Sequence, residues 1–299
     1  MVDYSHHDID RPTPPEQYHP TVTQWQALQH DLLRLYDDKV PLGGNRRQFW
    51  EPFYTLWLIR FGAVEIERDG ADTIRVDAGN WILVPPFFQH SQTFTVGARI
   101  LSIHYYANWP NGTGIFRLES PLVVPHAEWC DLEKLLLDLI RHRRDPDAAV
   151  PLAAYGRAES ALLAFLGRWY VEMTRHGYSP EGPEGLDSRL QKAIDYLDGT
   201  EYTGAIPYAR LARDIGISRT HLDRLFKEQL GKTPRKYLED RVIHRVVKDL
   251  VTTRKTIATI CYDHGFVSAS HFCRWFRRVT GRSPREYREG VGGWHSATR

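Results

Sequence analysis

Residues 218–237 read SRTHLDRLFKEQLGKTPRKY, and residues 268–287 read SASHFCRWFRRVTGRSPREY. The two stretches share Ser218/Ser268, His221/His271, Arg224/Arg274, Phe226/Phe276, Gly231/Gly281, Pro234/Pro284 and Tyr237/Tyr287. A repeat fixes the unit of structure before any other signal is read, and two copies describe a duplicated helical module, too few for a solenoid.

Each copy predicts a helix with marked ends. Ser218 and Ser268 are N-cap residues, whose hydroxyls satisfy an orphan N–H of the first turn. Leu222, Leu225, Phe226 and Leu230, then Phe272, Trp275, Phe276 and Val279, recur at spacings of three and four and so share one helical face. Gly231 and Gly281 suit the left-handed residue that ends a helix. Pro234 and Pro284 then open the next helix, where a missing N–H costs nothing. Upstream of each copy a shorter helix is predicted, over about 208–214 and 257–264, followed by a tight connection containing Gly216 or Gly265. Helix, short turn and capped second helix make a helix-turn-helix, whose second helix fits a DNA major groove.

At this point residues 186–290 resemble the DNA-binding domain of the AraC/XylS family of bacterial transcription regulators. The second copy carries the more specific motif: Ile257-Ala258, Gly265-Phe266, Ser270-His271-Phe272, Arg274, Phe276, Gly281, Pro284 and Tyr287-Arg288. The resemblance covers about a third of the chain. It implies a double-stranded DNA operator, a ligand-responsive regulator that works as a homodimer, and RNA polymerase as a further candidate partner.

Charge is divided to match. The chain carries a net charge of only +2, yet from Leu186 onward it holds 22 Lys and Arg against 13 Asp and Glu. A basic half beside an acidic one is what binding a polyanion requires. Early positions on the outward face of each second helix are expected to reach base edges: Arg219, Thr220, Asp223 and Arg224, and Ala269, Ser270, Cys273 and Arg274. Arginine pairs bidentately with guanine, and aspartate accepts from cytosine N4. An aspartate beside phosphates is repelled unless a base donor or a neighbouring arginine pairs it. Lys227, Lys232, Arg277 and Arg282 are expected on phosphates, which position without reading sequence. His221 and His271 read as rings that pack the turn, and Phe226, Phe266, Trp275 and Phe276 as core.

The first 185 residues are different. A length of 299 residues predicts two domains. Residues 1–20 hold Pro12, Pro14, Pro15 and Pro20 and read as a flexible arm. Trp25, Leu28, Leu32, Leu33 and Leu35 predict a helix over 21–36. Alternating or apolar runs over 54–59, 63–67, 73–76, 79–85 and 99–106, broken by turn signals such as Asp69-Gly70, predict short antiparallel strands. They suggest a small barrel or sandwich. Gly79, Pro85 and His90 resemble the second half of a cupin motif, which agrees with the cupin-like sensor domain of many AraC-type proteins. Helical patterns follow from residue 127 and over 152–175; these helices form the dimer contact, as the family resemblance implies, or pack on the barrel. Glycine and proline at 177–185 mark a linker. The expectation is therefore an α+β chain: a cupin-like β-barrel with flanking helices (21–176), a linker (177–185), an all-α domain with two helix-turn-helix motifs joined by a long helix (186–290), and a tail (291–299).

Aromatic residues crowd residues 50–109, and beside polar groups they suit a small polar ring such as a sugar. An ordinary aromatic core satisfies the same pattern. The candidate ligand residues are Trp57, Arg60, Trp81, His90, His104 and Tyr106. A metal cupin needs an H-x-H pair and a glutamate, and residues 48–67 contain no histidine, so neither a metal, a cofactor nor catalysis is expected. The other readings are a β domain that only dimerises or binds a protein partner, and a metal-dependent cupin enzyme fused to a DNA-binding domain. Three cysteines without a C-x-x-C pair, no 18-residue apolar run and no basic–apolar leader predict a cytoplasmic protein, outside any membrane.

Overall fold

In a computed structural model of the chain, residues 20–40, 44–68, 73–143, 151–180, 182, 186–199 and 208–292 are described. The expected arm, the Asp69-Gly70 turn, the tail beyond residue 292 and half of the expected linker lie outside them.

Among the described residues the first half is built on nine strands: β1 (Gln29–Lys39), β2 (Arg46–Phe49), β3 (Tyr54–Phe61), β4 (Ala63–Glu67), β5 (Ile74–Asp77), β6 (Asn80–Val84), β7 (His90–Phe94), β8 (Arg99–Asn108) and β9 (Leu122–Pro125). They form two antiparallel sheets, one ordered β1-β8-β3-β6-β9 and the other β2-β7-β4-β5. No ladder joins the two sheets among the described residues, so the expected closed barrel is an open pair of facing sheets. The β3–β4 corner is tight. A Cβ on Gly62, at φ +77°, would fall 2.3 Å from Thr95 Oγ1, so only glycine makes this turn.

Side chains alternate across the larger sheet. Trp57, Ile59, Ile82, Val84 and Ile100 point between the sheets and meet Val64, Ile66 and Phe94 of the smaller one. Tyr54, Leu56, Trp81, Leu83, Leu101 and Tyr105 point the other way. There they are covered by α2 (Cys130–Arg143) and α3 (Pro151–Arg175), through Leu136, Phe165 and Trp169. A sheet covered on both faces reads as a nearly continuous apolar run.

The expected helix over 21–36 is corrected. Only α1 (Val22–Gln26) is helical, with a capping box between Thr21 and Gln24. From Gln29 the chain is β1, paired with β8 along its length, with a register slip between Leu32 and Arg34. A bulge adds one residue to a strand and re-aims its neighbours. Here Arg34 and Tyr36 turn inward, while Leu33 is buried in the core of the C-terminal half.

That C-terminal core is continuous. It takes in α4 (Ser188–Asp198), α5 (Tyr208–Ile215), α6 (Arg219–Leu230), α7 (Pro234–Thr252), α8 (Ile257–Asp263), α9 (Ala269–Thr280) and α10 (Pro284–Gly292). Helix α7 has 19 residues and is about 28 Å long. Val242, Ile243, Val246 and Leu250 bury it in the same core as both helix-turn-helix units, so it spaces them rigidly.

Candidate nucleic-acid interface and sensor cavity

The two second helices, α6 and α9, begin and end as their sequence dictates. Ser218 Oγ accepts from His221 N, and Ser268 Oγ from His271 N, each at 3.2 Å. Gly231 (φ 66°) and Gly281 (φ 76°) close them in the left-handed conformation. Leu222, Phe226, Phe272 and Phe276 are fully buried, and Phe266 and Trp275 nearly so. Burial of one face fixes which residues face out.

Arg219, Thr220, Arg224 and Lys227 are exposed on α6, and Ser270, Arg274 and Arg277 on α9. Asp223, Ala269 and Cys273 are half-buried. The guanidinium of Arg219 lies 4.4 Å over the Tyr208 ring and 3.8 Å from Asp223, and Arg224 stands 4.0 Å from Glu228. Asp223 thus has its neutralising arginine. Exposed pairs at this range contribute little and exchange readily for a stronger partner. Lys232 instead turns onto Asp240 at 3.0 Å. Arg282 lies 5.5 Å over Phe49 of the β domain, and burial pulls its pKa down, helped by the charge of Arg46.

Between the two sheets, at the end nearest the helical half, lies a narrow cavity lined by Arg34, Arg46, Glu51, Trp57, His90 and His104, with Phe49, Phe53, Thr55, Val84, Pro85 and Gln92. The free space is about 10 Å³, room for one water molecule. Arg46 donates to Glu51 at 2.7 Å, and both are buried. Arg34 is 2% exposed, and its Nε and Nη2 have no partner among the described residues. His104 Nε2, His90 Nε2 and Trp57 Nε1 are buried in the same way, without partners among those residues. Burial, with the charges of Arg34 and Arg46, pushes the His104 pKa well down; burial also lowers that of His90. Both rings are therefore neutral near pH 7. Among the described residues no three His, Cys, Asp or Glu side chains gather where a metal would bind.

Of the six expected ligand residues, Trp57, His90 and His104 line this cavity. The other three do not, because strand alternation and position send them elsewhere. Trp81 faces the helical side of its sheet. Arg60 is held by Asp37 at 3.0 Å and Glu133 at 2.8 Å. Tyr106 packs edge-on against His244 of α7.

The cavity borders the junction of the two halves. The Tyr287 hydroxyl of α10 donates to Glu51 Oε2. Lys248 of α7 bonds Asp31 at 2.5 Å, and Arg241 reaches Asp198 at 3.0 Å and Gln29 at 2.8 Å. Leu33 and Phe53 of the β domain sit within the helical core.

Residues 211–290 match the family model described as a helix-turn-helix domain. The chain is 28% identical over 190 residues to the arabinose operon regulatory protein of Escherichia coli, covering 62% of this chain and 60% of that one. It is 32% identical over 110 residues to the HTH-type transcriptional activator RhaS of Escherichia fergusonii, covering 37% of this chain and 39% of that one. It therefore spans less than two thirds of either relative. The helical half of the chain is a helix-turn-helix domain of the AraC type. The chain's fold is similar along most of its length to ToxT of Vibrio cholerae: an apo form of ToxT with a single substitution superposes with a TM-score of 0.53 at 15% identity, covering 89% of this chain and 98% of that one. Wild-type ToxT bound to unsaturated fatty acid gives 0.51 at 13% identity, covering 89% and 96%.

Of the residues lining this cavity, sequence reading missed Arg34, Arg46, Phe49, Glu51, Thr55 and Gln92. The usable signal was an arginine inside the apolar run Leu32-Leu33-Arg34-Leu35-Tyr36, since a charge amid such a run is buried only with a purpose.

Proposed function

We propose that the chain is a sequence-specific DNA-binding transcription regulator whose β domain (residues 21–176) takes a small-molecule effector and whose helical domain (186–290) reads the operator. The observation that carries it is the duplicated pair α6 and α9: equally capped, on one core, spaced by a rigid α7, with Arg224 and Arg274 exposed at the same register. Recognition helices that read one duplex face sit about 34 Å apart, one turn of DNA. Arg219, Thr220, Asp223, Arg224, Ala269, Ser270, Cys273 and Arg274 are the base-reading set; Lys227 and Arg277 hold phosphate, and Lys232 and Arg282 join them only if their internal contacts open.

The effector site is the cavity between the sheets, whose polar atoms without partners suit a small polar molecule better than an apolar one. A sugar is one candidate class, and the acid bound by the structurally similar ToxT is another. Such a switch requires the effector to favour one arrangement of the domains over another. A homodimer is the assembly we favour, since Leu152, Tyr155 and Leu163 of α3 are exposed apolar residues. The cytoplasm is the compartment that fits.

Footprinting on the promoters flanking the coding gene tests the reading: Arg224→Ala and Arg274→Ala each abolish protection of their own half of the site. Unchanged protection in both variants overturns it. A second reading, a β domain that only dimerises, is favoured by the small free volume of the cavity, and a thermal-shift screen of small molecules separates the two.

A further inference from the structure

Arg34 has no ordinary structural explanation. Its side chain is 2% exposed, on β1, pointing into the cavity between the sheets. Among the described residues it forms no ion pair within 4.0 Å, and the ring it faces, that of Phe53, lies 5.9 Å from the guanidinium carbon. Buried guanidinium groups elsewhere in proteins are paired, because an uncompensated charge in a dry interior is costly. Glu51, the carboxylate of this cavity, is already shared between Arg46 and Tyr287. Two guanidinium groups thus face one carboxylate.

The unpartnered atoms specify the missing group. Nε and Nη2 are the two nitrogens along one edge of a guanidinium, with their N–H bonds parallel. That edge matches the two oxygens of a carboxylate and holds it bidentately. A single negative charge also brings the cavity to neutrality, whereas a dianion would overshoot it. Trp57 Nε1 and the neutral imidazoles of His90 and His104 offer further hydrogen bonds nearby.

We infer that Arg34 is the anchor of the effector site and that the effector is a small monocarboxylate, held side-on by Nε and Nη2. The inference rests on the reading of this cavity as the effector site, and it narrows that reading to acids. Neutral sugars lack the group Arg34 requires; a sugar acid carries it. The free volume holds about one water molecule, less than a carboxylate, so the ligand enters only as the cavity wall loosens where it borders the helical half.

The test uses the full chain and matched pairs at constant ionic strength: formate against formamide, benzoate against benzyl alcohol, and D-galacturonate against D-galactose. Thermal unfolding is followed for the wild type, Arg34→Met and Arg34→Lys. At a hundredfold excess over its Kd, a bound acid raises the wild-type Tm by about 5 °C. The neutral partner does not. Arg34→Met melts at or above the ligand-free wild type, having lost an uncompensated charge, and no longer responds to acids. Arg34→Lys responds weakly, since a point charge lacks the fork. Neutral members that stabilise wild type and Arg34→Met alike leave the effector cavity standing and overturn the acid. If neither class shifts the wild type, both fall. A lowered Tm in both Arg34 variants without any acid makes the guanidinium a structural group and also overturns the inference.

Discussion

Tyr287→Phe removes one oxygen from the junction between the two halves. Tyr287 is 4% exposed and Glu51 7% exposed, so the bond between them is out of water. Glu51 Oε1 keeps Arg46 at 2.7 Å, while Oε2 loses its donor. The ring stays, packed edge-on at 5.5 Å from Phe276, so no sizeable cavity opens. The cost is that of an unsatisfied buried charged acceptor, about 2 kcal/mol. Urea unfolding of the single variants, of Glu51→Gln and of the double variant gives the coupling directly, which for groups in contact is about 1–2 kcal/mol. The mutation spares the outward faces of α6 and α9, so sequence preference on DNA is retained. A loss below about 0.5 kcal/mol, the range of ordinary surface changes, refutes the junction as a stabilising contact. So does strict additivity in the cycle.

The remaining predictions are shorter. His244 is buried between α7 and the β domain, facing Tyr106, Asp31, Arg241 and Lys248, and burial pushes its pKa down to about 3. Its contribution is complete above about pH 6.5 and is lost as pH falls towards 3; the urea midpoint declines over that window, and His244→Asn flattens the decline. Gly281→Ala forces φ 76° on a residue with a Cβ but meets nothing within 4 Å, so the loss is about 1 kcal/mol, read by thermal melting. A much larger loss would point to an unseen clash. Ser268→Ala removes the hydroxyl that caps α9 and lowers stability by about 1 kcal/mol. Lys227→Ala weakens binding evenly across DNA sequences and flattens the dependence on salt, measured by titration at several salt concentrations.

The helical half was legible because its signals are local. Ser218, Gly231, Thr233 and Pro234 set their own backbone within a few residues, and the structure repeats the arrangement at Ser268, Gly281, Ser283 and Pro284. Strands β3, β4, β5, β6 and β8 were legible from alternating or apolar runs, whereas β7, whose His90-Ser91-Gln92-Thr93-Phe94 is mostly polar, was not. What was hidden depends on partners far along the chain. Leu28, Leu32 and Leu35 mimic helical spacing, but β8, some seventy residues away, recruits this stretch into a sheet and a bulge at Leu33 breaks its alternation. With β1 read as a helix, Arg34 had no place in a cavity. Trp81 and Trp57 are equally aromatic, and only the sheet decides that one meets α3 and the other Phe94. Arg282 reads as a phosphate contact until the fold sets it above Phe49.

Leu33 and Phe53 are supplied by the β domain, yet they complete the interior of its neighbour. Interchanging N-terminal halves among relatives by cutting at the glycine- and proline-rich stretch would therefore leave two sockets empty unless the incoming half brings side chains of matching size. Swaps that transplant these plugs should fold, and swaps that omit them should yield readers with slack recognition helices. Modularity in this protein ends short of the seam drawn by its own sequence.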